Sequence, residues 1–148
     1  APADMHDTGA LPEDVDVPGR ARAYTHKDGA WVDAAATLPY RGTAAGGGYS
    51  TAADLLKFAR ALRAGTLLSP ASLAEATRRQ TPWYGYGFMV GQRHGVAGFG
   101  HGGGAEGMNA TLGIFPAQDT GGIGLANPGP PAAERLVDYY TARMPLEP

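Results

Sequence analysis

The chain has 148 residues, which fits one domain, and a body of that size withdraws about two-thirds of its unfolded surface from water. Twelve Lys and Arg against 14 Asp and Glu leave a net charge of −2 with the two signs interspersed, so the electrostatic footprint of a nucleic-acid or anionic-membrane binder is missing. No cysteine is present, which removes disulfides, thiol catalysis and Cys-type zinc sites together and leaves the redox compartment open.

No apolar run reaches the length of a membrane span. Ala1-Pro2 opens without the charged and apolar regions of a signal peptide, and a start without Met is expected of a processed or trimmed chain. Glycine and proline are abundant, so the body should be rich in loops.

Residues 1–49 read as an irregular arm with prolines at 2, 12, 18 and 39 and one hairpin, in which Arg22–Thr25 and Ala30–Val32 flank Lys27-Asp28-Gly29. Such an arm should drape over another part of the fold. Residues 50–82 carry two helices. Thr51 with Asp54 three positions on forms a capping-box-like start, Leu55, Phe58, Ala59 and Leu62 mark an apolar stripe, and Gly65 supplies the stop after Ala64. The second helix is expected from Ser69, with Pro70 in its first turn, to about Arg79.

Residues 83–148 read as a sheet followed by a helix. Tyr84, Tyr86, Phe88 and Val90 alternate with Gly85, Gly87, Met89 and Gly91, the period of a half-buried strand. A turn at Arg93-His94-Gly95 leads to a strand over Val96–His101. After the glycine cluster, Met108, Ala110, Leu112 and Ile114 alternate with Asn109, Thr111 and Gly113. Gly122–Asn127 makes a fourth, short strand, and Gly129-Pro130-Pro131 launches a last helix with Ala133, Leu136, Val137 and Tyr140 toward the sheet. The fold class is α+β: an antiparallel meander of three to four strands with a C-terminal helix packed on it, preceded by two helices and the arm.

The segment from Gly98 to Gly107 sets one histidine, His101, among glycines, a composition that suits close approach of backbone to a ligand. Gly98-x-Gly100-x-x-Gly103 matches a dinucleotide fingerprint in letters only, because a period-two strand follows it where a helix is needed. His101-Gly102-Gly103-Gly104 is like the oxyanion loop of α/β-hydrolases, but Ser50, Ser69 and Ser72 are the only serines and none stands in a Gly-x-Ser-x-Gly elbow.

A third pattern accounts for more of the chain. Ala45-Gly-Gly-Gly-Tyr-Ser-Thr-Ala-Ala-Asp-Leu-Leu-Lys-Phe58, Leu67-Leu-Ser-Pro70, Tyr86-Gly-Phe88 and Gly100-His-Gly-Gly-Gly-Ala-Glu-Gly-Met108 resemble, in order and spacing, the C-terminal half of the serine β-lactamase-like, penicillin-binding-protein-like hydrolases. That family includes class C β-lactamases, D-alanyl-D-alanine carboxypeptidases and related esterases. Asp4-Met-His-Asp-Thr-Gly9 is similar to the segment at the entry to that half.

The resemblance implies that His101 stands at the cleft-edge position held by Lys or His in the Lys/His-x-Gly element, where it steers a substrate carboxylate or assists proton transfer. It implies that the Gly104 N–H is an oxyanion donor, and that Gly102 and Gly103 line the place of an acyl substrate. Glu106 departs from the pattern at a position where proline is common.

The nucleophile element is missing from these residues. Ser-x-x-Lys would need serine at 24 or 54, where Tyr24 and Asp54 stand, because Lys27 and Lys57 are the only lysines. Neither Asn109 nor Asn127 completes a Tyr-x-Asn or Ser-x-Asn element. The chain alone is expected to be inactive, with the nucleophile supplied by an N-terminal half or a partner chain. No cofactor and no metal are expected, and export to the periplasm or extracellular space fits the resemblance.

Two competitors stand beside this expectation. One is a non-catalytic binding or scaffold module that keeps the fold. The other is a metal-assisted hydrolase using His101 with His94 or His6, or a metal held by Asp4, His6 and Asp7, although no zinc-protease spacing is present.

Overall fold

The computed structural model describes residues 2–12, 14–38 and 42–145. The four-stranded sheet runs in simple order through β3 (Met89–Arg93), β4 (Val96–Ala105), β5 (Met108–Phe115) and β6 (Thr120–Ala126), every neighbour antiparallel. Before it come a two-stranded hairpin, β1 (Tyr24–Lys27) and β2 (Ala30–Asp33), and two helices, α1 (Ala52–Arg63) and α2 (Pro70–Ala76). After it comes α3 (Ala132–Thr141).

Local chemistry accounts for most boundaries. The Thr51 side chain accepts from the Asp54 N–H and starts α1, and Gly65, at φ +72°, ends it. Ser69 caps α2 by accepting from the Ser72 N–H. That helix stops at Ala76 rather than near Arg79, because the Ala76 carbonyl turns to accept from the Tyr86 N–H instead of a following helical donor. In the hairpin, Asp28 and Gly29 both take positive φ, 51° and 83°, as the favoured two-residue turn demands.

Two of the expected strands shift as well. The period-two stretch from Tyr84 to Phe88 is not a strand but a turn that folds on itself through Gly85 N–H to Phe88 C=O, with only a bridge between Tyr84 and Met89. The β4 strand does not stop at His101: it carries the whole glycine cluster to Ala105, paired with β5 from Phe99↔Ile114 to Ala105↔Met108.

Alternation gives the sheet two unlike faces. Val90, Phe99 and Ile114 are cross-strand partners on one face, and with Leu112 and Phe88 they pack against Phe58, Ala59 and Leu62 of α1 and Leu73 of α2. The other face bears Gly98, Gly100, Gly113, Gly122 and Gly124, with Val96, Phe115 and Met144 packed together at one end. Helix α3 lies on this second face through Ala133, Val137 and Thr141, spaced four apart. A Cβ on Gly124 would come within 2.8 Å of Val137 and 3.0 Å of the Ala133 carbonyl. Leu136 and Tyr140, expected to face the sheet, are exposed instead.

The arm is irregular but anchored. Gly9 and Tyr49 exchange two backbone hydrogen bonds, 3.1 and 2.9 Å, and Asp54 on α1 accepts from the Asp7 N–H, the Thr8 hydroxyl and Lys57. Asp54 is therefore a buried anchor, beyond the dipole-offsetting position its place in the first turn implies. No helix among the described residues is long and apolar enough to cross a membrane.

Candidate active site

His101, Gly102, Gly103 and Gly104 follow one another in the second half of β4. Strand β3 pairs only with Val96 to Gly100, so among the described residues β4 has, from His101 onward, a strand neighbour on the β5 side alone. The four residues singled out in the sequence thus occupy an open sheet edge, and His101, Gly103 and Gly104 are exposed.

The end of this edge is braced from several sides. Gly107, in the turn to β5, has φ +80°, and a Cβ there would lie 2.7 Å from Ala23 and 2.9 Å from Ala34, so the arm closes directly over the turn. The Thr37 hydroxyl donates to the Glu106 carbonyl at 2.8 Å. The Tyr24 N–H donates to the Asn127 carbonyl at 2.8 Å, and the Asn127 amide donates to the Arg22 carbonyl at 3.0 Å. The β4–β5 turn is what the irregular arm drapes over.

Beneath the edge sits Asn109, one of the residues that alternate with Met108, Ala110, Leu112 and Ile114 along β5. It is only 2% exposed. Its amide donates to the Gly103 carbonyl and to Glu134 Oε1, both at 2.9 Å, and its carbonyl oxygen accepts from the Ala133 N–H at 2.7 Å. One side chain therefore ties the glycine strand to the first turn of α3, where Pro131 offers no side-chain cap. Glu134 Oε2 is buried without a partner among the described residues. The signal for Asn109 in sequence is weak, since an Asn in a strand reads as an outward polar residue.

Tyr84 is the other residue that the sequence leaves out of the site. Its hydroxyl lies 2.8 Å from His101 Nε2, and the two rings meet edge to face at 5.7 Å. Tyr84 also packs edge-on against Trp83, whose indole is exposed at the rim. An open cleft of about 590 Å³ runs from Trp83 and Met89 past His101 and Gly102 to Glu134. Most of its lining belongs to the glycine face, whereas alternation puts the His101 side chain on the opposite face with Leu112, its cross-strand partner. The cleft and the imidazole meet only at the strand edge.

The remaining histidines stand apart from His101. His94 occupies the β3–β4 turn at φ 50°, with Nε2 3.3 Å from the Ala142 carbonyl, and His26 packs edge-on against Trp31 across the hairpin. His6 bonds Asp4 in the arm. Among the described residues no group of three or more His, Cys, Asp or Glu side chains is arranged to hold a metal ion.

The buried Asp54 carboxyl of α1 is shifted from its ordinary range. Hydrogen bonds from Lys57, Thr8 and the Asp7 N–H hold its carboxyl below the ordinary value of 3.8, against the opposing effect of burial.

Comparison with known proteins gives a consistent picture. A family model described as Beta-lactamase matches residues 1–144. The penicillin-binding protein from Bacillus halodurans superposes with a TM-score of 0.85 at 24% identity, covering 95% of this chain and 46% of that one. The octameric penicillin-binding protein homologue from Pyrococcus abyssi gives 0.81 at 24% identity, covering 95% and 34%. A D-stereospecific amidohydrolase from Streptomyces sp. gives 0.73 at 23% identity, covering 97% and 46%. The chain thus spans less than half the length of each of these structures. No curated protein matches it.

Proposed function

The chain belongs to the beta-lactamase family, and we propose that it forms one wall of a serine acyl hydrolase acting on a β-lactam, a D-Ala-D-Ala peptide or an ester. In this proposal the serine of a Ser-x-x-Lys element, carried by an N-terminal half or a partner chain, attacks the substrate carbonyl. The carbonyl oxygen becomes an oxyanion that the Gly104 N–H stabilises. The leaving group departs with a proton, and water then attacks the acyl-enzyme to release the acid and restore the serine. His101 steers the substrate or assists the proton transfers, while Gly102 and Gly103 let the acyl group lie against backbone.

The observation that carries the proposal is the coincidence, at one point, of an exposed imidazole and an unpaired strand edge. Beyond Gly100 no β3 residue covers β4, so backbone N–H groups on that side are available to a substrate. Burial of His101 inside a closed core would have opposed the assignment, and His101 is exposed.

The test is hydrolysis of a chromogenic β-lactam and a p-nitrophenyl ester by this chain alone, then by the chain joined to the polypeptide encoded upstream of it. The chain alone should be silent and the joined protein active. Replacing His101 by Ala in the joined protein should lower turnover, and displacing the Gly104 donor should cost about 10²–10³ in rate. A folded joined protein with no hydrolysis of either substrate would instead identify a non-catalytic module. Activity of the chain alone that chelators abolish would identify a metal-assisted hydrolase.

A further inference from the structure

Tyr84 is built to meet His101. Its carbonyl accepts from the Gln80 N–H at 2.8 Å and the Thr81 N–H at 3.1 Å, and the next two residues are locked to the end of α2. Gly85 packs so tightly there that a Cβ would lie 2.2 Å from the Ala76 carbonyl oxygen, and the Tyr86 N–H donates to that same carbonyl. The phenol ring is held between Trp83 and His101 by two edge-to-face contacts, at 5.2 and 5.7 Å. A hydroxyl fixed by both its backbone and its ring meets Nε2 at 2.8 Å.

A phenol at neutral pH carries a proton to give, and a neutral imidazole has one nitrogen that accepts and one that donates. The partner on one ring nitrogen decides which form is present. We infer that Tyr84 is a positioning residue: its O–H donates to His101 Nε2 and holds the imidazole in the Nδ1–H form, leaving Nδ1–H as the donor offered to substrate. If the ring gains a proton, Nε2–H donates to the Tyr84 oxygen, so the contact and the ring orientation survive the change. The turn at Tyr84–Phe88 thereby acquires a role that a strand, with alternate side chains on opposite faces, would not give it.

The role of Tyr84 rests on the acyl-hydrolase function proposed above, but the pair is readable in this chain without any hydrolysis. Long-range proton–nitrogen correlation spectra of the 15N-labelled chain, recorded in alkaline buffer, report which nitrogen of each neutral imidazole bears the proton. The His101 signals are those lost in His101→Gln. The wild-type chain should show His101 with the proton on Nδ1, and Tyr84→Phe, which keeps the ring and drops the hydroxyl, should move it toward the Nε2–H form usual for a solvated imidazole.

A proton on Nε2 in the wild type, or the same proton position in a folded Tyr84→Phe chain, would overturn the assignment. Should Tyr84→Phe not fold, the wild-type spectrum alone decides by the same criterion. Failure of the hydrolysis assay with the pair intact would count against the acyl-hydrolase function and not against the pair.

Discussion

The two faces of the four-stranded sheet are made from the same strands and held by different physics. Toward α1 and α2, Phe99, Ile114, Ala59 and Leu62 are buried, and Phe88 and Phe99 meet edge to face at 5.2 Å. Toward α3, glycines take the place of side chains, so the helix backbone comes close to the sheet and the contact is pinned by Asn109. The first face is stabilised by apolar area withdrawn from water, the second by shape and a few hydrogen bonds. The candidate site stands where the two meet, with His101 on the bulky face and Gly104 joined by its neighbour Gly103 to the Asn109 network.

The largest effect should come from the bulky face. Phe99→Ala removes a nearly buried ring from the centre of the cluster and should cost about 3–5 kcal/mol of unfolding free energy in urea titrations. A loss below about 1 kcal/mol would mean that the face is loosely packed and that the contrast with the α3 side is false.

The next test belongs to the glycine face. Asn109→Ala leaves the Ala133 N–H without its acceptor and Gly103 without the side-chain donor, and should cost about 2 kcal/mol. The loss should be local. Hydrogen exchange should rise in the first turn of α3 and at Gly103 and Gly104 before it rises in α1. Equal acceleration in both layers would mean that the two faces unfold as one unit, without a separate role for Asn109.

Acid should separate the same two layers, because the polar anchor on the α1 side is charged while Asn109 is not. The Asp54 carboxyl is held below its ordinary value in the folded chain, first by Lys57 and then by Thr8 and the Asp7 N–H. A depressed folded value means that the stabilisation is complete above the unfolded value, near pH 4, and is lost as pH falls through the folded one. Thermal unfolding followed from about pH 6 to about pH 3 should show a decline that Asp54→Asn flattens. Exchange should increase first in the arm around Asp7 and Thr8. A decline of the same size in Asp54→Asn would assign the acid sensitivity elsewhere.

How far these features could be read from the sequence depends on how local their causes are. The Thr51 cap, the Gly65 stop and the Asp28-Gly29 turn follow from interactions within a few residues and stand where the sequence puts them, and the antiparallel order β3 to β6 agrees as well, although the bounds of β3 and β4 shift. Helix α3 was harder, since its apolar residues are more numerous than its contacts. Only the small Ala133, Val137 and Thr141 fit over Gly122 and Gly124, and Leu136 and Tyr140 are too large for that gap. His101 and the glycines were legible as a pattern. Their partners were not: Tyr84 reaches His101 across 17 positions of chain, and Asn109, a close neighbour of Gly103 on the adjoining strand, owes its burial to contacts with Ala133 and Glu134 on the far-off helix α3.

The smallest effect is expected at a place attached to neither face. Arg22 bonds Asp33 beside the hairpin at 2.6 Å, with the two side chains 69% and 44% exposed. Water and salt screen such a pair, and ordering two long side chains offsets most of what it gains. Removing Arg22 also leaves the Asp33 carboxylate the bond from the Ala35 N–H, the largest single cause of its lowered pKa. The Arg22 carbonyl, which accepts from Asn127 and helps hold the arm over the β4–β5 turn, is untouched by a side-chain change. Arg22→Ala should therefore leave the melting temperature within error at both low and high salt. A clear loss at low salt that vanishes at high salt would show that the pair, and not the backbone bond to Asn127, fastens the arm over the glycine strand.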